Sequence, residues 1–168
     1  KGWVRSVGTA SVDNKQGFGF VGLGDTVSVI DITRPDEQFA ADPVTGLPIG
    51  LTLLPPSLQN EPIVKRIQIP GAGTITDTLA TTDLSRVFVA TNAGVAVIDA
   101  FTLQLVDVGN GGGKMIPIPG GVTALAIDPA GRYLYAAGQG KIHIIDLLPS
   151  SDKYHQVAQT IDVYAPAS

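Results

Sequence analysis

The 168-residue sequence has no cysteine and only two histidines, His143 and His155. Without cysteine the chain has no structural disulfide, thiolate metal ligand, covalent haem attachment or cysteine nucleophile. A catalytic zinc or copper site with three histidine ligands cannot be built from this chain alone. GxSxG, P-loop, HExxH and EF-hand patterns are also missing. We therefore predict no catalytic residues, no metal site and no cofactor.

Charge is scarce as well. Charged residues make up 15% of the sequence, against roughly 25% in an average globular domain. The largest basic cluster is the pair Lys65-Arg66, so the positive surface that a nucleic-acid ligand requires is missing. No apolar run approaches the ~18 residues of a membrane-spanning helix, and no signal peptide opens the sequence. We expect neither a nucleic-acid partner nor a membrane span.

What the sequence does contain favours strands and turns. It has 44% hydrophobic residues, 20 glycines and 12 prolines, and valine, isoleucine and threonine recur throughout. β-branched residues fit pleated sheets, whereas glycine and proline fit tight turns. The composition therefore predicts an all-β fold of many short strands.

Three stretches of the sequence repeat one another: residues 7–31, 75–99 and 122–146. Each ends in two apolar residues and an aspartate, and the last two copies begin about 47 residues apart. Within a copy, an apolar strand, a polar turn, a second strand, a tight hairpin and a third strand follow in order. A period in this range with strand-like content is typical of a four-stranded propeller blade.

A pair of aromatic residues marks the second strand of the first and third copies. In the second copy we expect Val87 and Val89 to take these positions. The aromatic residues are Phe18, Phe20, Tyr133 and Tyr135.

We predict three four-stranded antiparallel β-propeller blades. Blade 1 covers about residues 5–70 with a proline-rich insertion at 34–62, blade 2 about 75–119, and blade 3 about 122–165. A β-sandwich would explain the strands but not the repeat. A β-helix or other solenoid would explain a repeat, but usually one of shorter period.

The copies resemble the YVTN family of β-propeller repeats. The resemblance rests on three stretches: Asp25–Asp31 (DTVSVID), Ile67–Gly71 (IQIPG) and Asp128–Tyr135 (DPAGRYLY). It implies a propeller fold and leaves the function open, because such repeats occur in surface-layer and secreted proteins, in lactonase-like enzymes and in recognition domains.

Three blades do not close a ring, which takes about four to eight. The partners we expect are therefore the remaining blades of a longer propeller or a second copy of the chain that completes a six-bladed ring about a two-fold axis. We favour the longer propeller, because the sequence begins without a methionine and within the repeat pattern.

Two features are candidates for binding. In the insertion, Leu51, Leu53 and Leu54 either pin the loop to its blade or contact a partner. Asp77 opens an inner strand, whose end borders the central channel of a propeller, so we predict that it binds a ligand or a cation.

Other polar residues have structural interpretations. The aspartates that end each copy recur in every blade, so we expect them to cap turns. His143 is expected to lie between blades with a hydrogen-bond partner, whereas His155 is expected to be solvated. The aspartates are Asp31, Asp99 and Asp146.

The sequence favours a non-catalytic recognition or scaffold module of an exported protein, located outside the cell, on its surface or in the periplasm. A protein or a glycan is the expected ligand. The alternative is a fragment of a propeller enzyme, lactonase-like or redox, whose active site is completed by missing blades. A purely structural assembly block is a third possibility.

Overall fold

The computed structural model describes residues 6–11, 17–31, 63–81, 83–108 and 113–163. These residues form strands joined by turns. The strands are β1 (Ser6–Ser11), β2 (Gly17–Leu23), β3 (Thr26–Asp31), β4 (Ile63–Gln68), β5 (Ile75–Ala80), β6 (Arg86–Thr91), β7 (Gly94–Asp99), β8 (Gln104–Leu105), β9 (Met115–Pro117), β10 (Ala124–Ile127), β11 (Tyr133–Gly138), β12 (Lys141–Asp146) and β13 (Val157–Asp162).

The described strands make three antiparallel sheets, each consecutive in sequence and none closed on itself. We call them blade 1 (β1–β4), blade 2 (β5–β9) and blade 3 (β10–β13). The predicted all-β architecture is confirmed at this level. No helix that could cross a membrane is found among the described residues.

The outer edge of blade 2 differs from the expected single strand. Both β8 and β9 pair with β7, β8 at its C-terminal end and β9 at its N-terminal end. Blade 2 therefore has two short strands where a four-stranded blade has one, each on one half of β7.

The three central hairpins have the same register. Each turns in two residues, and the residue after each outer strand donates a backbone hydrogen bond to the second turn residue. The turns are Gly24-Asp25, Asn92-Ala93 and Gln139-Gly140; the bonds run from Ile69 to Asp25 (2.9 Å), from Ile118 to Ala93 (3.1 Å) and from Val163 to Gly140 (2.8 Å).

This register corrects one expectation about the repeat. Counted back from the turns, the position of Phe20 and Tyr135 is held in blade 2 by Phe88, and Val87 and Val89 lie on the opposite face of the strand. Because side chains alternate between the two faces of a strand, a one-residue shift moves a residue to the other side of the sheet.

Two apolar seams hold the blades together. We call the face that a blade turns to the preceding blade its front, and the other face its back. In the first seam, Phe20 on the back of blade 1 meets Val89 on the front of blade 2. In the second, Phe88 on the back of blade 2 meets Leu134 on the front of blade 3. All four side chains are at most 1% exposed, so burial between blades supplies most of the core.

The blades approach closely near the hairpins. A Cβ added at Gly22 would lie 2.4 Å from the Ile75 side chain, so this position of the first seam has no room for a side chain. Backbone hydrogen bonds link the blades at the same level, from Ile75 to Gly24 (2.7 Å) and from Val122 to Thr91 (2.9 Å).

Candidate binding cleft between blades 2 and 3

The second seam opens into a cleft at one end. The β5–β6 turn of blade 2 meets the β10–β11 turn and the β12–β13 loop of blade 3 around a cavity of about 380 Å³. Its lining comprises Thr81, Asp83, Ser85, Arg86, Phe88, Ile127, Ala130, Gly131, Leu147, Pro149, Tyr154 and His155. Half of these residues have polar or charged side chains, so the cleft is more polar than the mainly apolar pockets that usually bind small molecules.

Arg86 supplies the positive charge of the cleft. Its Nη1 donates to the Ser85 carbonyl (2.9 Å) and to Oδ2 of Asp99 (2.7 Å). Its Nε is buried and makes no hydrogen bond to the described residues. An unsatisfied buried donor costs about 1–3 kcal/mol. Because the Nε is closed to solvent, a ligand in the cleft can contact only the exposed part of the Arg86 side chain.

Asp99 holds Arg86 in place. Its Oδ1 accepts hydrogen bonds from the backbone N–H groups of Phe101 (3.0 Å) and Thr102 (2.9 Å), and its Oδ2 accepts from Arg86. Burial raises the pKa of Asp99, but these backbone hydrogen bonds and the arginine charge outweigh burial and hold the pKa below its usual value. The carboxylate is therefore charged at neutral pH.

His155 forms the aromatic wall. Its ring stacks on Tyr154 with centroids 3.8 Å apart and meets the edge of Phe88 at 6.4 Å. The residue is only 4% exposed, and burial, with a smaller contribution from the Arg86 charge, lowers its pKa to about 4. The ring is thus neutral at pH 7, with one donor and one acceptor nitrogen, and it makes no hydrogen bond within the described part of the chain.

The prediction that His155 is solvated is wrong. The surrounding segment is polar in sequence, but the loop that carries it folds back onto blade 3. The His155 N–H donates to the Asp146 carbonyl (2.8 Å), while the Asp146 side chain accepts from Leu148 N–H (2.8 Å) and Ser151 Oγ (2.6 Å). These hydrogen bonds hold the loop against blade 3, so that the His155 ring lies in the seam.

Asp83 supplies the negative charge at the rim. Its carboxylate accepts hydrogen bonds from Thr81 Oγ1 (2.5 Å), from the Ser85 N–H (3.1 Å) and from Ser85 Oγ (2.9 Å). The bond from Thr81, followed by that from the Ser85 N–H, lowers its pKa. The cleft therefore carries one positive and one negative group besides the paired Asp99.

A second cavity of about 280 Å³ lies on the other side of His155. It lies between the outer strands of the two blades and is mostly apolar. Its lining is Val108, Met115, Ile116, Pro117, His155, Gln156 and Val157. His155 is the wall shared by the two cavities.

Asp77 lies away from the cleft, on the inner strand of blade 2. Its Oδ1 accepts from the Thr78 N–H (2.8 Å) and its Oδ2 from the Leu125 N–H (2.8 Å), which ties β5 to β10. Among the described residues, no group of three or more histidines, aspartates or glutamates could hold a metal ion. Binding of a ligand or cation by Asp77 stays a prediction.

The remaining sequence candidates divide into described and undescribed residues. His143 is 9% exposed, with Nδ1 at 3.0 Å from Thr160 Oγ1 of the same blade, so its hydrogen-bond partner is confirmed. Capping by Asp99 and Asp146 is confirmed by the bonds above. Leu51, Leu53 and Leu54 lie outside the described residues, as does the insertion 34–62 that carries them.

The cleft residues were missed in the sequence. One signal was available: in the corrected register Arg86 takes the position of Phe18 and Tyr133. The other two copies have an aromatic residue at this position, so the arginine indicates that the side chains at this end of the seam pack differently. His155 and Tyr154 lie outside the aligned repeat and gave no signal.

Comparison with known proteins gives a match in fold. The chain is similar to hydrazine synthase from Kuenenia stuttgartiensis, with a TM-score of 0.59 and 18% identity over 92% of this chain. The match covers 36% of the hydrazine synthase chain, so the present sequence spans about a third of that neighbour. No family model and no curated protein sequence matches the chain. The comparison therefore supports an all-β architecture of blade-like sheets.

Proposed function

We propose that this chain is a non-catalytic recognition module built from YVTN-type propeller blades, and that the cleft between blades 2 and 3 is its binding site. The observation that carries the proposal is the cleft itself: a cavity of about 380 Å³ in which an arginine, an aspartate and a neutral histidine converge on an aromatic wall. The module serves an exported or surface-associated protein, in which the blades also act as a scaffold.

The ligand is a small uncharged polar molecule, and a saccharide unit fits best. Arg86 is already paired with Asp99, so the lining of the cleft offers no unpaired cation to hold an anionic ligand. Hydroxyl groups can accept hydrogen bonds from the guanidinium and donate them to the carboxylate. The neutral His155 ring can donate from one nitrogen and accept at the other. The partly exposed Tyr154 ring offers a surface for the C–H face of a sugar.

The test is calorimetric titration of the chain with a panel of mono- and disaccharides. His155→Phe keeps the aromatic wall and removes both ring nitrogens, so we expect it to weaken binding about tenfold, since one lost hydrogen bond is worth about 1–1.5 kcal/mol. Tyr135→Phe, which removes a hydroxyl from the back of blade 3, is the control and should leave the affinity unchanged.

Two results would contradict the proposal. If no sugar in the panel binds, saccharides are excluded as the ligand. If His155→Phe binds a sugar as tightly as the wild type does, the cleft is excluded as the binding site. Chemical conversion of a bound sugar would instead favour the enzyme alternative, so the mixture is analysed for products after each titration.

A further inference from the structure

The backs of the three blades present the same five positions. The common hairpin register and the pairing of the outer strands define them without ambiguity. They are Phe20, Gly22, Val27, Val29 and Ile67 in blade 1; Phe88, Ala90, Val95, Val97 and Ile116 in blade 2; and Tyr135, Ala137, Ile142, Ile144 and Ile161 in blade 3.

Their burial separates blade 3 from the other two. All ten positions of blades 1 and 2 are buried against the following blade, and Ile67, at 6%, is the most exposed side chain among them. None of the five positions of blade 3 is buried, and Ile161 is 43% exposed. A face with the composition of a packed seam is therefore open to solvent in the single chain.

The complementary face lies at the other end of the molecule. The front of blade 1 carries Val21 and Ile30, both half-buried, and Leu23, which is 43% exposed. The residues equivalent to Val21 and Ile30 are fully buried in the two seams. These are Val89 and Ile98 in blade 2, and Ala136 and Ile145 in blade 3.

We infer that the back of blade 3 docks on the front of blade 1 of a second copy of this chain, and that two copies close into a six-bladed ring. The chain already forms this kind of seam twice, so the new contact repeats an interface that the same sequence makes within one copy. The five back positions and the three front positions carry no charge. The outer strand β4 also brings the exposed Arg66 to the front of blade 1, and its long side chain must keep reaching solvent for the contact to bury no unpaired ion. Six blades lie within the range that closes a propeller.

The experiment is light scattering on a sizing column over a range of concentrations. We expect the wild-type chain to have twice the mass of 17.4 kDa. Ile142→Glu on the back of blade 3 and Val21→Glu on the front of blade 1 should each lower the dimer affinity at least a hundredfold. Phe101→Glu, at a 58% exposed position on a turn of blade 2, is the matched control and should remain a dimer.

Mixing the two variants tests the direction of docking. A mixed dimer has one contact without a glutamate, because blade 3 of the Val21→Glu chain and blade 1 of the Ile142→Glu chain are both unchanged. Association should therefore reappear in the mixture, although neither variant associates alone. Circular dichroism shows whether each variant is folded.

A second readout does not depend on these variants. Because the chain has no cysteine, Ile161→Cys gives a single thiol on the proposed interface. Its labelling rate should fall at least tenfold as the chain concentration rises through the dimer range.

Three outcomes overturn the inference. One is a wild-type chain that stays monomeric while the thiol of Ile161→Cys is labelled at a constant rate. Another is a dimer that both glutamate variants leave intact. The third is folded variants that do not associate when mixed.

Discussion

The two seams of this molecule are built on one plan and differ at one end. In the first seam, Phe18 packs against the core from the back of blade 1, and Leu84 and Leu103 pack against it from blade 2. In the second seam the position of Phe18 is held by Arg86, and the facing loop supplies His155. Replacing an aromatic residue by a cation has turned the end of a packed seam into a cleft with polar groups.

This difference shows that the middle of a seam stabilises the fold, whereas its end is free to form a binding site. The middle of each seam is apolar and nearly solvent-free, so it stabilises the blades wherever it occurs. The end of the seam varies without disturbing that core, because Phe18 and Arg86 lie at the ends of their strands and most of the other cleft residues lie on turns and loops. A binding site can therefore be added to a blade pair through its loops while the sheets keep their packing.

Truncating the central aromatic residues should show that both seams stabilise the fold. Phe20→Ala and Phe88→Ala each remove a side chain that is at most 1% exposed, so each should cost about 3–5 kcal/mol of unfolding free energy. Denaturant titration measures both values. A loss well under 1 kcal/mol for either variant would mean that its seam is not packed as described.

The pH dependence of stability should distinguish the second seam from the first. The pKa of His155 is lowered from 6.5 to about 4, so between these values the unfolded chain binds a proton that the folded chain excludes. Its stabilising contribution is complete above about pH 6.5 and is lost as the pH falls towards 4, with a slope of at most about 1.4 kcal/mol per pH unit.

His155→Phe removes that proton and should flatten the slope in thermal or chemical unfolding across the same window. His143, whose pKa burial also lowers, remains in both proteins, so the difference between them isolates His155. Identical slopes would show that His155 does not titrate abnormally. The lowered pKa values of the carboxylates add a slope of the same sign below about pH 5, but it is common to both proteins and cancels in the comparison.

The smallest effect is expected at an exposed ion pair outside both seams. Lys141 and Asp162 pair on the edge of blade 3 with side chains that are about half exposed. Such pairs contribute at most about 1 kcal/mol, so Lys141→Ala should change the unfolding free energy by less than that. A larger loss would mean that the edge of blade 3 contributes to stability on the scale of the seams.

The blades could be predicted from the sequence because each copy of the repeat contains the same strands and turns in the same order. It placed Val87 and Val89 at the aromatic position through a one-residue error, and Phe88 became evident only when strand pairing fixed the register. It missed the cleft because His155 enters the seam through the fold of a polar loop. The burial of His155 depends on contacts between segments that are distant in sequence, and a local pattern of hydrophobicity does not predict such contacts.

The most direct test of the account is the titration of His155, followed by NMR through its ring protons with His155→Phe used for assignment. The structure predicts a pKa of about 4, well below the ordinary value of about 6.5, and a shift of the ring signals when a saccharide binds. A pKa near 6.5, with signals that no sugar perturbs, would show that His155 lies in solvent and that the cleft between blades 2 and 3 is not formed.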